Sequence, residues 1–248
     1  MMEIGKDRKW YSLYDKVYAR ENLEQAWKKV KSNRGKPGFD RESIDQFDKN
    51  WLGNLGEIHR LLKEKRYAPP PVLRVNIPKE VDSTGKVLKV RPLGVPTVRD
   101  RIVQQAVVQI IGPIYEAEFH DCNTGYRPGR STHTAIAQIR RYREEGYHWV
   151  VDADIQGFFD ALDHELLMRF VRERIVDGTV LDLIRAWLKA GVMEDMKLKT
   201  VTTGSPQGGL CEASHNPPYA KQVIMRSKSR QPVTDRIICL LSARIIWP

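Results

Sequence analysis

The stretch Trp149-Val150-Val151-Asp152-Ala153-Asp154-Ile155-Gln156-Gly157-Phe158-Phe159-Asp160 decides how this chain is read. It opens as an apolar, β-branched run, the pattern of a buried strand. Two carboxylates interrupt that run. Side chains alternate along a strand, so Asp152 and Asp154 belong to one face. A carboxylate pair is costly to bury unless something positive neutralises it. A divalent cation fits, because hard cations take carboxylate and carbonyl oxygens. A strand that ends at the surface with two solvated acids fits the same spacing.

The surrounding composition narrows the setting. The chain has 248 residues and a formal net charge of +10, which favours a polyanionic partner, most often nucleic acid. Cys122, Cys211 and Cys239 are scattered and lack the paired spacing of a zinc site. A reducing, cytoplasmic setting is expected. The N-terminus is charged with no apolar core of a signal peptide, and no run reaches membrane-spanning length, so no membrane partner is expected.

Upstream of the aspartate stretch the chain is mainly helical. Leu13, Tyr14, Val17 and Tyr18, then Leu23, Ala26, Trp27 and Val30, recur at helical spacing. Asn33-Arg34-Gly35-Lys36-Pro37-Gly38-Phe39-Asp40 is a loop, read as a phosphate contact or an ordinary connector. Helical patterns follow around Ile44 to Trp51 and Ile58 to Lys65. Val72 to Pro78 and Lys86 to Pro92 predict a hairpin turning at Asp82-Ser83-Thr84-Gly85, with Arg74, Lys79, Lys86, Lys89 and Arg91 along it. It is either a solvated basic hairpin or a pair of cationic arms over phosphates. Thr97 and Asp100 have capping-box spacing, and the apolar stripe from Ile102 to Ile111 reads as core, ended by Gly112-Pro113. Ser131 caps a predicted helix to about Glu145, behind a glycine bend with two arginines, Arg127 and Arg130.

Downstream, Asp163-His164-Glu165 opens a helix with Leu166, Leu167, Phe170, Val171 and Ile175 on one face, and His164 reads as a first-turn surface residue. Val180, Leu181, Ile184, Trp187 and Leu188 form the inner face of a second. Thr203-Gly204-Ser205-Pro206-Gln207-Gly208-Gly209 is a polar turn. Beyond Leu210 the periodicity is lost, and Ile237 to Trp247 is an apolar end without caps.

Taken in order, these motifs resemble the reverse transcriptases encoded by group II introns. The Gly35 to Asp40 loop is similar to the family's N-terminal block. Ile77-Pro78-Lys79 with Val90-Arg91-Pro92-Leu93-Gly94-Val95-Pro96-Thr97 is similar to its first fingers block, and Gly125-Tyr126-Arg127-Pro128-Gly129-Arg130-Ser131 to the second. Asp154 to Asp160 with Asp163-His164 resembles the catalytic palm block, and Gly204 to Gly209 the block after it.

The resemblance implies an α/β (α+β) chain: the fingers and an incomplete palm of the right-hand polymerase fold, helix-rich with a basic β-hairpin. It implies a helical extension over residues 1–66, fingers over 67–145, a partial palm over 146–210 and an aberrant tail over 211–248. The implied activity is RNA-directed DNA polymerisation by two-metal phosphoryl transfer with Mg2+. Asp154 is the implied catalytic metal ligand, helped by the Ile155 carbonyl, and Asp152 matches no ligand position. Lys79 and Arg91 are implied on the nucleotide phosphates, Phe159 beneath the sugar, and Gln207 and Gly208 in the nucleotide and template pocket. Arg34, Lys36, Arg127 and Arg130 are the implied RNA contacts. The implied partners are intron RNA, an RNA template with a DNA primer, and deoxynucleoside triphosphates.

One departure stands out. The family's Tyr/Phe-Ala-Asp-Asp hairpin supplies further metal carboxylates, and this chain contains no Asp-Asp pair. A truncated, inactive polymerase with a reading frame shifted near residue 210 is therefore expected. The other readings are a non-catalytic intron RNA-binding or splicing helper, and a non-functional remnant. The gene's other two frames downstream of codon 210 test the shift; it fails if neither encodes the hairpin.

Overall fold

The computed structural model describes residues 8–117, 119, 122–125, 127–153, 162–194, 197–199, 204 and 237–241. Helices α1 (Tyr14–Val17), α2 (Arg20–Ser32), α3 (Ile44–Asp48) and α4 (Trp51–Lys63) come first, then the hairpin strands β1 (Val72–Val81) and β2 (Val87–Val95). Helices α5 (Val98–Glu116) and α6 (Thr132–Glu144), strand β3 (Trp149–Ala153), and helices α7 (His164–Arg174) and α8 (Gly178–Lys189) follow. Short strands β4 (Val192–Glu194) and β5 (Lys197–Lys199) and strand β6 (Ile237–Leu241) close the order. This is the α+β class expected from the sequence.

The core is helical, and α5 runs through its middle. Ile102, Val103, Ala106, Val107 and Ile111 are fully buried, as their stripe predicts. Helix α2 packs on α5 through Leu23, Ala26, Trp27 and Val30. Asn22 ties the pair together: its side-chain amide donates to the Val17 and Ala106 carbonyls, and Gln109 donates back to its Oδ1 at 2.8 Å. Pro113 does not end α5 as its sequence suggests; the helix runs on to Glu116. An interior proline costs about 3 kcal/mol. Burial of Ile114 and Tyr115, with the Tyr115 hydroxyl on the Val171 carbonyl, offsets it.

Asp177 joins the two ends of this body. One carboxylate oxygen accepts from the Leu13 and Tyr14 amides at the start of α1, and the other from Thr179 and Val180 at the start of α8. A single side chain thus satisfies amides at two helix starts, one of them 163 residues away in sequence.

The strands form two sheets. The first has order β2-β1-β4-β5, with β1 antiparallel to β2 and parallel to β4. In the second, β3 pairs with β6 in parallel, from Trp149 opposite Ile237 to Ala153 opposite Leu241. Part of the uncapped apolar end is therefore a strand beside β3.

Candidate nucleic-acid interface

The hairpin owes its shape to its turn. Asp82 Oδ1 accepts from the Thr84 amide and hydroxyl and from the Lys86 amide, and Gly85 adopts φ +84. These bonds favour the ionised acid and hold the Asp82 carboxyl below its usual range, the Thr84 hydroxyl first. Register slips between Pro78 and Glu80, leaving Lys79 as the extra, unpaired residue of a bulge. The basic residues divide accordingly. Lys89 is engaged by Glu80 at 3.0 Å, Lys79 and Lys86 are exposed, and Arg91 is half-buried opposite Ile77.

The loop carrying Arg34 and Lys36 is held by α5. A Cβ on Gly38 would sit 2.8 Å from the Thr97 backbone, and one on Gly35 would strike the Arg101 guanidinium. Arg101 donates to the Lys36 carbonyl. These glycines therefore permit close approach to a helix. Arg34 and Lys36 project from this seat, both exposed, and Arg34 takes φ +46. Nearby Arg99 is spent on Glu42, Glu57 and Asn54.

The bend between α5 and α6 differs from expectation. Arg127 meets Glu116 at 2.7 Å, donates to the Asn123 carbonyl at 3.0 Å and lies over the Phe119 ring. Its side chain is only 6% exposed, so in this conformation it braces the bend and does not face a ligand. Arg130 is half-buried, and Ser131 caps α6 by accepting from the Thr134 amide, as predicted.

Of the residues implied for catalysis, Asp154, Ile155, Phe159, Gln207 and Gly208 lie outside the described residues. Their described neighbours meet. Gly204, buried at φ +84, donates its amide to the Leu162 carbonyl at 2.9 Å. His164 Nε2 contacts the Gly204 carbonyl at 2.6 Å. His164 is thus half-buried and tied to the polar turn, and is not the free surface residue its position suggests. Among the described residues no three His, Cys, Asp or Glu side chains are grouped to hold a metal, and no helix is long and apolar enough to cross a membrane.

Asp100 was legible only as half of a cap. Thr97 Oγ1 does accept from the Asp100 amide. The Asp100 carboxylate turns inward instead of completing the box, and accepts from Tyr67 at 2.6 Å, Trp187 at 2.7 Å and Gln104 at 2.8 Å. Burial raises its pKa to about 6, against the three hydrogen bonds that favour the charge. Its partner Tyr67 is pushed well above its usual value by burial and then by Asp100. No local pattern marks Tyr67 and Trp187 as partners, because they come from 33 and 87 residues away.

Comparison with known proteins agrees with the motif order. Residues 77–232 match the family model described as reverse transcriptase (RNA-dependent DNA polymerase), so the match runs past Leu210, where the quoted motifs stop. The group II intron-encoded protein LtrA of Lactococcus lactis subsp. cremoris is 37% identical over 187 residues, 75% of this chain and 30% of that protein. Protein YkfC of Escherichia coli K12 is 36% identical over 196 residues, 77% of this chain and 50% of that protein. The chain thus spans between 30% and 50% of the length of these relatives. A solved partial Cas6-RT-Cas1–Cas2 complex has a similar fold, with a TM-score of 0.58, 21% identity, and coverage of 91% of this chain and 37% of that one. The family match covers more than half of the 248 residues, and the chain belongs to the reverse transcriptase family, whose members use divalent metals, with a group II intron-encoded protein among its relatives.

Proposed function

We propose that this chain is the fingers and the beginning of the palm of an RNA-directed DNA polymerase of the group II intron type, acting in the cytoplasm on intron RNA. The family match over residues 77–232 carries this reading. In it, residues 1–66 extend the fingers, 67–145 are fingers and 146–210 palm. The exposed bulge residue Lys79 and, across the hairpin, Arg91 take the triphosphate of a deoxynucleotide. Phe159 lies under its sugar, and Gln207 and Gly208 line the pocket shared with the template. Arg34, Lys36 and Arg130 take RNA phosphates, with Arg127 holding the bend that presents Arg130.

Asp154 and the Ile155 carbonyl are the Mg2+ ligands of this reading. Each hard cation needs about six oxygen ligands. One carboxylate and one carbonyl are too few for two cations, so the set present in this chain does not fit a complete two-metal centre. The purified chain is therefore expected to give no primer extension on an RNA template with Mg2+. Extension that disappears in Asp154→Asn would overturn that expectation.

A non-catalytic role in binding and folding intron RNA is the second reading. It is favoured by the exposed Arg34, Lys36 and Lys79. Both readings require RNA binding that weakens steeply with salt. Filter binding over a range of salt concentrations tests them together, and affinity indifferent to salt rejects both.

A further inference from the structure

Helix α6 differs from the other long helices in burying none of its residues. Its inner side, Ala135, Gln138, Ile139 and Tyr142, is half-buried. The opposite stripe runs through His133, Ile136, Arg140 and Arg143, all exposed, with Ile136 at 48%. Steps of three and four residues keep these four on one face, and the stripe spans about 15 Å at 1.5 Å per residue.

The charges of α6 are unevenly used. Arg141 is paired with Glu145 at 3.3 Å and also lies over Tyr142. Among the described residues Arg140 and Arg143 make no side-chain hydrogen bond or ion pair. They line one open concavity together with Glu144. On the inner side, Tyr142 packs edge-on against Tyr147 just past the helix end.

We infer that the outer stripe of α6 is a second contact surface for the phosphate backbone of an RNA strand, with Arg140 and Arg143 as its anchors. The inference rests on the RNA-binding reading above and adds a surface that no resemblance assigns. Guanidinium forks match phosphate oxygens, and two unpaired forks one helical turn apart can engage neighbouring phosphates of one strand. The concavity they line offers a seat for that strand. The face is too sparsely apolar for a membrane surface, since Ile136 is its only large apolar side chain. Glu144 opposes phosphate from within the same concavity, so it tunes the site downward.

The test compares the full chain with Arg140→Glu/Arg143→Glu and with Arg172→Glu/Lys189→Glu, an equal charge change at exposed sites on α7 and α8. Affinity for a single-stranded RNA of mixed sequence is measured from low to physiological salt. The α6 variant is expected to bind on the order of tenfold more weakly, with a salt slope shallower by about 1.4, the share of two phosphate contacts on a single strand. Glu144→Gln is expected to tighten binding. The control pair should keep the parent slope, and circular dichroism should show all variants folded. Equal slopes for the α6 and control variants overturn the inference while leaving RNA binding in place. A parent chain that binds no RNA overturns the inference together with the reading beneath it. Parent binding to phosphatidylserine vesicles that Arg140→Glu/Arg143→Glu abolishes, with RNA binding unchanged in that variant, assigns the stripe to lipid and overturns the inference.

Discussion

The packed pair α2–α5 and the hairpin β1–β2 are both long, regular elements, but they spend their apolar side chains differently. Helices α2 and α5 bury almost every large apolar residue on their facing stripes. In the hairpin only Val72, at its root, is buried among the apolar side chains, while Ile77, Val81, Val87, Leu88 and Val90 are exposed. The body is thus held by area removed from water, and the hairpin by its ladder, its Asp82 turn and its root. Of the implied contacts within the described residues, Lys79 stands on the hairpin and Arg34 and Lys36 on the loop after α2. Lys79, Arg34 and Lys36 stand on parts that contribute little to the core and are free to meet a ligand.

The sharpest way to break this contrast is to cut into the body. Phe47 is fully buried, with its ring 4.6 Å from that of Trp27. Phe47→Ala should cost about 3–5 kcal/mol, a large part of the 5–15 kcal/mol typical of a domain. Urea unfolding reads this as a lower midpoint at unchanged m-value. A loss below about 1 kcal/mol would show that the body is not tightly packed around Phe47.

Asp100 sharpens the contrast through pH. Its folded pKa is raised from 3.8 to about 6 by burial. A raised carboxylate pKa means that the unfolded chain releases its proton first, so stability falls as pH rises. The contribution is greatest below the unfolded value and is lost as pH climbs through about 6. The shift corresponds to about 3 kcal/mol across that window. In Asp100→Asn the amide oxygen still accepts from Tyr67 and Trp187, and rotation of the Gln104 amide restores the third bond. Subtracting the variant's stability from the parent's between pH 4 and 7 cancels the other groups. The difference should decline by about 2.4 kcal/mol; a flat difference would mean that Asp100 titrates as an exposed acid.

The body was legible because burial on one side imprints a 3.6-residue period. The stripe of α5, the Thr97 and Ser131 caps and the paired helices α7 and α8 all follow from local pattern. What escaped depends on distant partners. Gly35 and Gly38 resemble any flexible loop until α5 is placed against them. Arg127 resembles a surface arginine until Glu116 turns toward it. Pro113 resembles a stop signal until the burial of Ile114 and Tyr115 is counted. The resemblance marked the family's sequence blocks, but resemblance carries residue identity and not side-chain orientation. Arg127 and Lys79 came from it with equal standing, and one is buried while the other is exposed.

The hairpin tip provides the gentlest test and the most specific one. Leu88 is 59% exposed and Val90 52%, so replacing both with threonine removes little buried apolar area. Threonine also suits a strand, which keeps the backbone preference intact. Leu88→Thr/Val90→Thr should therefore shift stability by no more than about 0.5 kcal/mol, against several for Phe47→Ala. The two outcomes together separate a free arm from a covered one. Should the double threonine variant cost more than about 1.5 kcal/mol, these side chains are covered in solution, either by the body or by another copy. Repeating the measurement at several protein concentrations distinguishes the two, because only a second copy makes the midpoint depend on concentration. A neutral result at every concentration leaves the tip uncovered, with its bulge residue Lys79 open to a phosphate-bearing ligand.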